Sequence, residues 1–178
     1  MRILGIDPGY DRLGIAILDK SSGKTGGKES LVYSSCFTTS KKDSIYERLG
    51  AIGEEISRII EEFKPEALAL ESLFITKNQK TAMRVSEARG IIMYEGIKRN
   101  IPIFEYSPMQ IKMAVTGDGS SDKTRITKMV KILVKIPAPQ PLSPKKEPLD
   151  DEYDAIAVAI THSAMARSLI HSNPLLQK

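Results

Sequence analysis

The chain has one cysteine, two histidines and no long apolar run. Its single thiol, Cys36, excludes a disulfide framework within one chain and any cysteine-based zinc cluster. With no His or Asp in a triad-like motif around it, Cys36 reads as a small buried hydrophobe rather than a nucleophile. His162 and His171 lie well down the last helical stretch, where surface exposure or packing is their expected role. No segment reaches the roughly 18 apolar residues of a membrane span. The first residues, MRILGIDPG, enter a core-like strand directly and leave no room for a signal peptide, so a cytoplasmic protein with no membrane association is expected. No internal repeat is visible.

What is present is an ordinary globular composition: 178 residues, 41% hydrophobic and 27% charged, enough for one domain with its own core. That domain is expected over residues 1–170, with 171–178 a frayed tail. The net charge of +4 is unevenly spread, because Lys77 to Lys135 holds 12 Lys or Arg against 5 Asp or Glu. A local excess of this kind suits phosphate, although a solvated helix face can also be basic.

Three strand-like runs open the chain, Arg2–Ile6, Arg12–Leu18 and Ser30–Thr38, separated by turn residues in the pattern of an antiparallel meander. Between them Gly23-Lys24-Thr25 echoes the end of a phosphate-binding loop. Leu18 stands where that motif needs its first glycine, and no helix follows, so this is a hairpin turn. Apolar residues at 45, 49, 52, 56, 59 and 60 predict a helix closed by Pro65, followed by a fourth strand, Ala67–Leu70, that ends in Glu71. A long helix from about Gln79 to Arg99, a short strand at Pro102–Tyr106 and two helical stretches around Thr116-Gly117-Asp118-Gly119 come next. Pro137 to Pro148 holds five of the ten prolines and reads as a mobile loop before an alanine-rich last helix starting at Asp150 or Asp151. The sum is a mixed sheet covered by helices.

Asp7 ends the first strand and is followed at once by Pro8-Gly9. A carboxylate at the end of a buried strand needs a partner, most simply a cation, although an Asp-Pro-Gly turn is the plainer reading. Glu71 ends the fourth strand. If the two strands are neighbours, both acids emerge at one edge. Asp151 and Asp154, three residues apart, share a face of the last helix, beside small residues that let a helix lie close to a sheet. Converging carboxylates without His or Cys favour Mg2+ or Mn2+, and two such ions can cleave a phosphodiester without a histidine base. Helix capping by Asp150, Asp151 and Glu152 is the competing explanation for the last cluster; Asp154, one turn in, is harder to explain so.

In this order the segments GIDPGYDRLGIA, ESLFITKNQKTAMRVSEARG, PIFEYSP, IKMAVTGDGSSDK and DDEYDAIAVAITH resemble RuvC, the bacterial Holliday-junction resolvase family of the RNase H-like superfamily, over roughly residues 1 to 162. The resemblance implies an α/β, RNase H-like fold, with a five-stranded mixed sheet, helices on both faces and a homodimer. It maps four metal-binding carboxylates onto Asp7, Glu71, Asp151 and Asp154, with two Mg2+ per subunit and Mn2+ a possible substitute. It places Lys112 and Lys123 near the scissile phosphate. Phe74 resembles an aromatic that stacks on an unpaired base, a position that without the family would read as core. Lys77, Asn78, Lys80, Arg84 and Arg89 would line the DNA path. Val85-Ser86-Glu87 departs from the family's usual Leu-Gly-Gln on the helix that serves dimer contact. The proline-rich loop is longer and more basic than usual, which leaves Asp150 a rival to Asp151.

The expected function is a structure-selective endonuclease that resolves four-way DNA junctions by paired symmetric nicks during recombination and repair. A branch-migration motor complex is the partner implied by the family. The competing reading is a catalytically weak branched-DNA-binding protein of the same fold. An actin-like or sugar-kinase ATPase also opens with a strand and an Asp-x-Gly turn, but needs a second half that this length does not supply.

Overall fold

The computed structural model describes residues 1–20, 29–73, 79–136 and 148–172, with the side chains of 79, 80 and 167–172 left out of the description. The Gly23-Lys24-Thr25 turn, nearly all of the proline-rich stretch and the chain after 172 lie outside these residues.

The elements follow in the order β1 (Arg2–Asp7), β2 (Arg12–Asp19), β3 (Glu29–Thr38), α1 (Ile45–Phe63), β4 (Ala67–Glu71), α2 (Gln79–Lys98), β5 (Ile103–Tyr106), α3 (Pro108–Thr116), α4 (Lys123–Leu133), β6 (Val134–Lys135) and α5 (Asp150–Ser172). Strand order is β5-β4-β1-β2-β3-β6. The β1–β2–β3 meander is antiparallel, while β4 joins β1, and β5 joins β4, in parallel. Five strands are those expected. The sixth corrects the five-stranded expectation: β6 adds two residues in parallel to β3, through Glu29↔Val134 and Ser30↔Lys135. A two-residue continuation of a helix carries no alternation by which to recognise it. Among the described residues no helix is long and apolar enough to cross a membrane.

Strand alternation divides the core. Leu4, Ile6, Leu13, Ile15, Ile17, Leu68 and Leu70 face Ile52, Ile56 and Ile59 of α1 and Ala88 and Ile92 of α2. Ile3, Ala16, Leu18 and Ala69 face α5, α3 and α4 on the other side. The helix α1 is held at its start by a reciprocal capping box, Ser44 with Glu47, and ends at Lys64 with φ 48°, just before Pro65.

Where α5 comes closest to the sheet, the face beneath it is made of small residues. A Cβ on Gly5 would lie 2.4 Å from the Ala155 carbonyl oxygen, and one on Gly14 would lie 2.1 Å from that of Asp151. Backbone therefore meets backbone along one face of α5, with Ala155 and Ala159 against Gly5. The start of α5 is fixed by buried Glu152, which accepts from the Leu149 N–H (3.2 Å) and from the Ser34 hydroxyl (2.6 Å). Gly5→Ala should destabilise the protein by about 1–3 kcal/mol, as overpacking does. Gly50→Ala, at an exposed position of α1 with nothing within 4 Å of the new Cβ, should stabilise it by about 0.5–1 kcal/mol. Urea denaturation of both variants checks this pair of opposite signs.

Candidate active site

Alternation puts Asp7 and Glu71 on the same face as Gly5 and Ala69, toward α5. Ile6 pairs with Leu70 in the parallel β1–β4 ladder, so the next residues, Asp7 and Glu71, leave the sheet side by side. The two carboxyls are hydrogen-bonded to each other. Asp7 is pushed up to about 8, first by burial and then by Glu71, Asp154 and Asp151. Glu71 is raised too, first by burial and then by Asp154, against the pull of its bond to Asp7 and of Arg89 and Lys112. At neutral pH the pair therefore shares a proton.

Asp151 and Asp154 descend on this pair from the first turns of α5. Both are half-buried, whereas Asp150 is 75% exposed. Asp154 receives Lys123 Nζ at 2.9 Å, and the same ammonium reaches Asp150 at 3.6 Å. Asp151 is ion-paired with Arg12. Burial raises the Asp154 carboxyl, partly offset by Lys123. Among the described residues no three acidic or imidazole groups form a ready-made ion cage. The four acids stand as two sets, a proton-sharing pair on the sheet and a cation-paired set on the helix, all with oxygen donors.

An open cleft of about 250 Å3 runs from Glu71 and Asp154 to Lys112 and Lys123. Both lysines are delivered by well-capped helices. Ser107 and Gln110 form a capping box at the start of α3, and Asp122 caps α4 through the Arg125 N–H at 2.8 Å. The loop between is cross-linked: the Thr116 hydroxyl contacts Ser121 Oγ at 2.7 Å, and Asp118 bonds Ser120 and Arg125. Lys123, first residue of α4, is thereby aimed at Asp154.

With this geometry in view, the relatives are informative. The profile described as "Crossover junction endodeoxyribonuclease RuvC" matches residues 3–162. Enzymes of that description from Thermosipho melanesiensis and Petrotoga mobilis are 46% and 43% identical, covering 89% and 94% of this chain and 94% and 96% of theirs. The structure of Thermus thermophilus RuvC in complex with Holliday junction substrate superposes with a TM-score of 0.81 at 29% identity, covering 94% of this chain and 96% of that one. The chain belongs to the RuvC family. It is a crossover junction endodeoxyribonuclease of the RNase H-like resolvase fold.

The structure brings together six of the residues singled out in the sequence: Asp7, Glu71, Asp151, Asp154, Lys112 and Lys123. Of the expected DNA-path residues, Phe74, Lys77 and Asn78 lie outside the described residues, as does the side chain of Lys80. Arg84 is half-buried on α2, paired with Glu87 at 3.2 Å. Arg89 lies inward. It is 6% exposed, and its guanidinium donates inward to the Glu71 carbonyl and the Glu105 carboxylate. In this way it braces the strand ends that present Glu71.

Several RuvC-family site neighbours were not expected. Buried Arg48 of α1 stacks 3.8 Å over the Tyr10 ring and donates to Thr39 Oγ1 (2.8 Å), the Tyr10 carbonyl and Asp11. It thus braces the turn between Asp7 and Arg12 as Arg89 braces Glu71. Cys36, half-buried rather than fully so, donates to Asp151 Oδ2 at 3.6 Å. Asp7, Gly14 and Cys36 stand in one cross-strand row. Only the register shows this row; the sole sequence signal was Arg12 and Gly14 following Asp7 so closely.

His162 is packed inside, 2% exposed, against the Phe104 ring, with Nδ1 2.8 Å from the Tyr106 hydroxyl. Tyr106 is the register partner of Glu71, so this bond ties α5 to β5, the neighbour of the strand that carries Glu71. Burial, helped by Lys20, lowers His162 from 6.5 to about 4. The unfolded chain is therefore protonated first on acidification. The stabilisation present above pH 6.5 is lost as pH falls toward 4, by on the order of 3 kcal/mol in full. Between pH 7 and pH 5 the urea midpoint of the wild type should fall relative to that of His162→Gln, a comparison in which the raised carboxyls of the site, common to both proteins, cancel.

Proposed function

We propose that this enzyme resolves four-way DNA junctions as a homodimer, by divalent-ion-dependent hydrolysis at the carboxylate site. The observation that carries the reading is the convergence of Asp7 and Glu71, from adjacent strand ends, with Asp151 and Asp154 of α5. The Thermus relative's junction complex supports the substrate. Asp7, Glu71, Asp151 and Asp154 would hold Mg2+, with Mn2+ as a substitute. The donors fit, since all are carboxylate oxygens, and Asp7, raised by burial and then by its three acidic neighbours, is a carboxyl that a cation would let ionise. Two ions bound there would activate a water for attack and stabilise the departing oxygen.

The chain's own residues do the rest. Arg89 and Arg48 hold the two strand ends rigid from the opposite face of the sheet. Lys112 and Lys123 line the cleft and would bind the phosphate and stabilise charge that develops on it. Pairing two such sites suits α2, whose Met83, Tyr94 and Ile97 are 66%, 59% and 64% exposed on one heptad-spaced stripe with Gly90. A two-fold dimer through this stripe would give a two-fold junction one site per opposing strand.

Asp7→Asn should bind a synthetic four-way junction as the wild type does but lose cleavage by at least about a hundredfold. Strand-labelled junctions with Mg2+ or EDTA, beside a linear duplex, read both. Metal-dependent paired nicks on the junction alone are the expected wild-type result, and full cutting by the variant would refute the assignment. The shared proton adds a second check. Because Asp7 must ionise to bind a cation, Mn2+ binding at pH 7 should release close to one proton, and apparent affinity should rise with pH until about 8. Calorimetry in buffers of different ionisation heat measures that release.

A further inference from the structure

Arg12, the first residue of β2, reaches across to Asp151. Its side chain remains 49% exposed, and its partners among the described residues are Asp151 and the Cys36 thiol. It stands on the side of Asp7 opposite β4, since β2 and β4 flank β1. Lys112 and Lys123 line the cleft from α3 and α4. Two of the site's cations, Arg12 on Asp151 and Lys123 on Asp154, are thus tied to residues that the proposed reaction assigns to ions, and Arg12 is the one with no second carboxylate partner.

We propose that Arg12 is a DNA-phosphate contact that Asp151 masks until a divalent cation claims Asp151. The inference rests on the reading of Asp151 as an ion ligand. One carboxylate cannot serve a guanidinium and a divalent ion equally well. Once the ion takes Asp151, Arg12 has no other carboxylate partner and faces solvent beside the site. A guanidinium there is matched in shape and charge to a phosphate. Buried Arg48 shows the contrast: with Thr39, Tyr10 and Asp11 around it and 8% exposure, it has no freedom to turn outward. The consequence for Arg12 is linkage. Ion binding raises the number of cations available to DNA, and DNA, by holding Arg12, keeps it from competing for Asp151.

Two measurements on the full chain test this, using wild type, Arg12→Gln and the charge-keeping Arg12→Lys. The first is Mn2+ titration by calorimetry without DNA. If Arg12 competes with the ion, Arg12→Gln should bind Mn2+ about two- to five-fold tighter, the range set by a half-exposed ion pair, with Arg12→Lys near wild type. If Arg12 merely orients Asp151, Arg12→Gln should bind more weakly; weaker or unchanged binding overturns the proposal. The second is the salt dependence of four-way-junction affinity, with EDTA or with Ca2+, cutting being checked in the same samples. Arg12→Gln should leave the slope unchanged in EDTA and reduce it by about 0.9 with Ca2+, one phosphate contact. An equal loss in both conditions would show an unmasked contact and overturn it. Asp7→Asn and Asp151→Asn separate this from the underlying reading. If the wild type binds Mn2+ no better than they do, the ion site and the proposal fall together. If binding depends on both acids but not on Arg12, the masking alone fails.

Discussion

The close approach of α5 to β1 and β2 is the constraint on which the site depends. Gly5 and Gly14 remove the side chains that would hold the helix away, and the carbonyls of Asp151 and Ala155 occupy the space where those Cβ atoms would be. Ala155 and Ala159 match them from the helix side. The helix is thus set down at a fixed depth, with its first turns over the ends of β1 and β4. Any residue larger than glycine at position 5 or 14 must lift the helix, and with it two of the four carboxylates. The apolar packing of α5 against Ile3, Ala16, Leu18 and Ala69 supplies the force that keeps these like charges together.

A second level of restraint acts from behind. The two strand ends that carry Asp7 and Glu71 are each gripped by a buried arginine belonging to the opposite helix layer, Arg48 from α1 and Arg89 from α2. Backbone carbonyls and a hydroxyl are among their acceptors, so what they fix is main-chain position. This matters most where the acids repel one another, because an unbraced turn could relax by splaying Asp7 away from Glu71. The hydrogen bond between the two carboxyls is the sign that it does not.

Much of this was legible in the sequence, for identifiable reasons. The strands β1 to β4 and the helix α1 carry periodic apolar patterns ended by Pro, Gly or a cap. The four acids were recognisable because each sits at a strand end or on one helical face, and the ordered family motifs assigned them. What escaped depends on register and on long-range contact. Nothing local says that Cys36 lies in line with Gly14 and Asp7, or that Arg12 crosses to Asp151 about 140 residues away in sequence. The inward placement of Arg89 was not legible for a related reason. A basic helix following a catalytic strand suggests DNA, but a helix has an inner face as well, and Arg89 shares it with Ala88 and Ile92.

The charges around the site form a graded series. Arg48 and Arg89 are buried, with several acceptors each, and belong to the framework. Lys123 and Arg12 are half-exposed, and each is engaged with a carboxylate of α5. Lys112 lines the cleft and acts on Glu71 through space. Exposure decides what each can do, since an ion pair near solvent is worth little and exchanges partners readily, whereas a buried one is retained. The same fold therefore holds its scaffold cations fixed and leaves its site cations free to trade a carboxylate for a phosphate. A site crowded with acids would otherwise repel a polyanionic substrate. Cations that neutralise the carboxylates of the free enzyme and are released as the carboxylates find other partners reduce that repulsion at both stages.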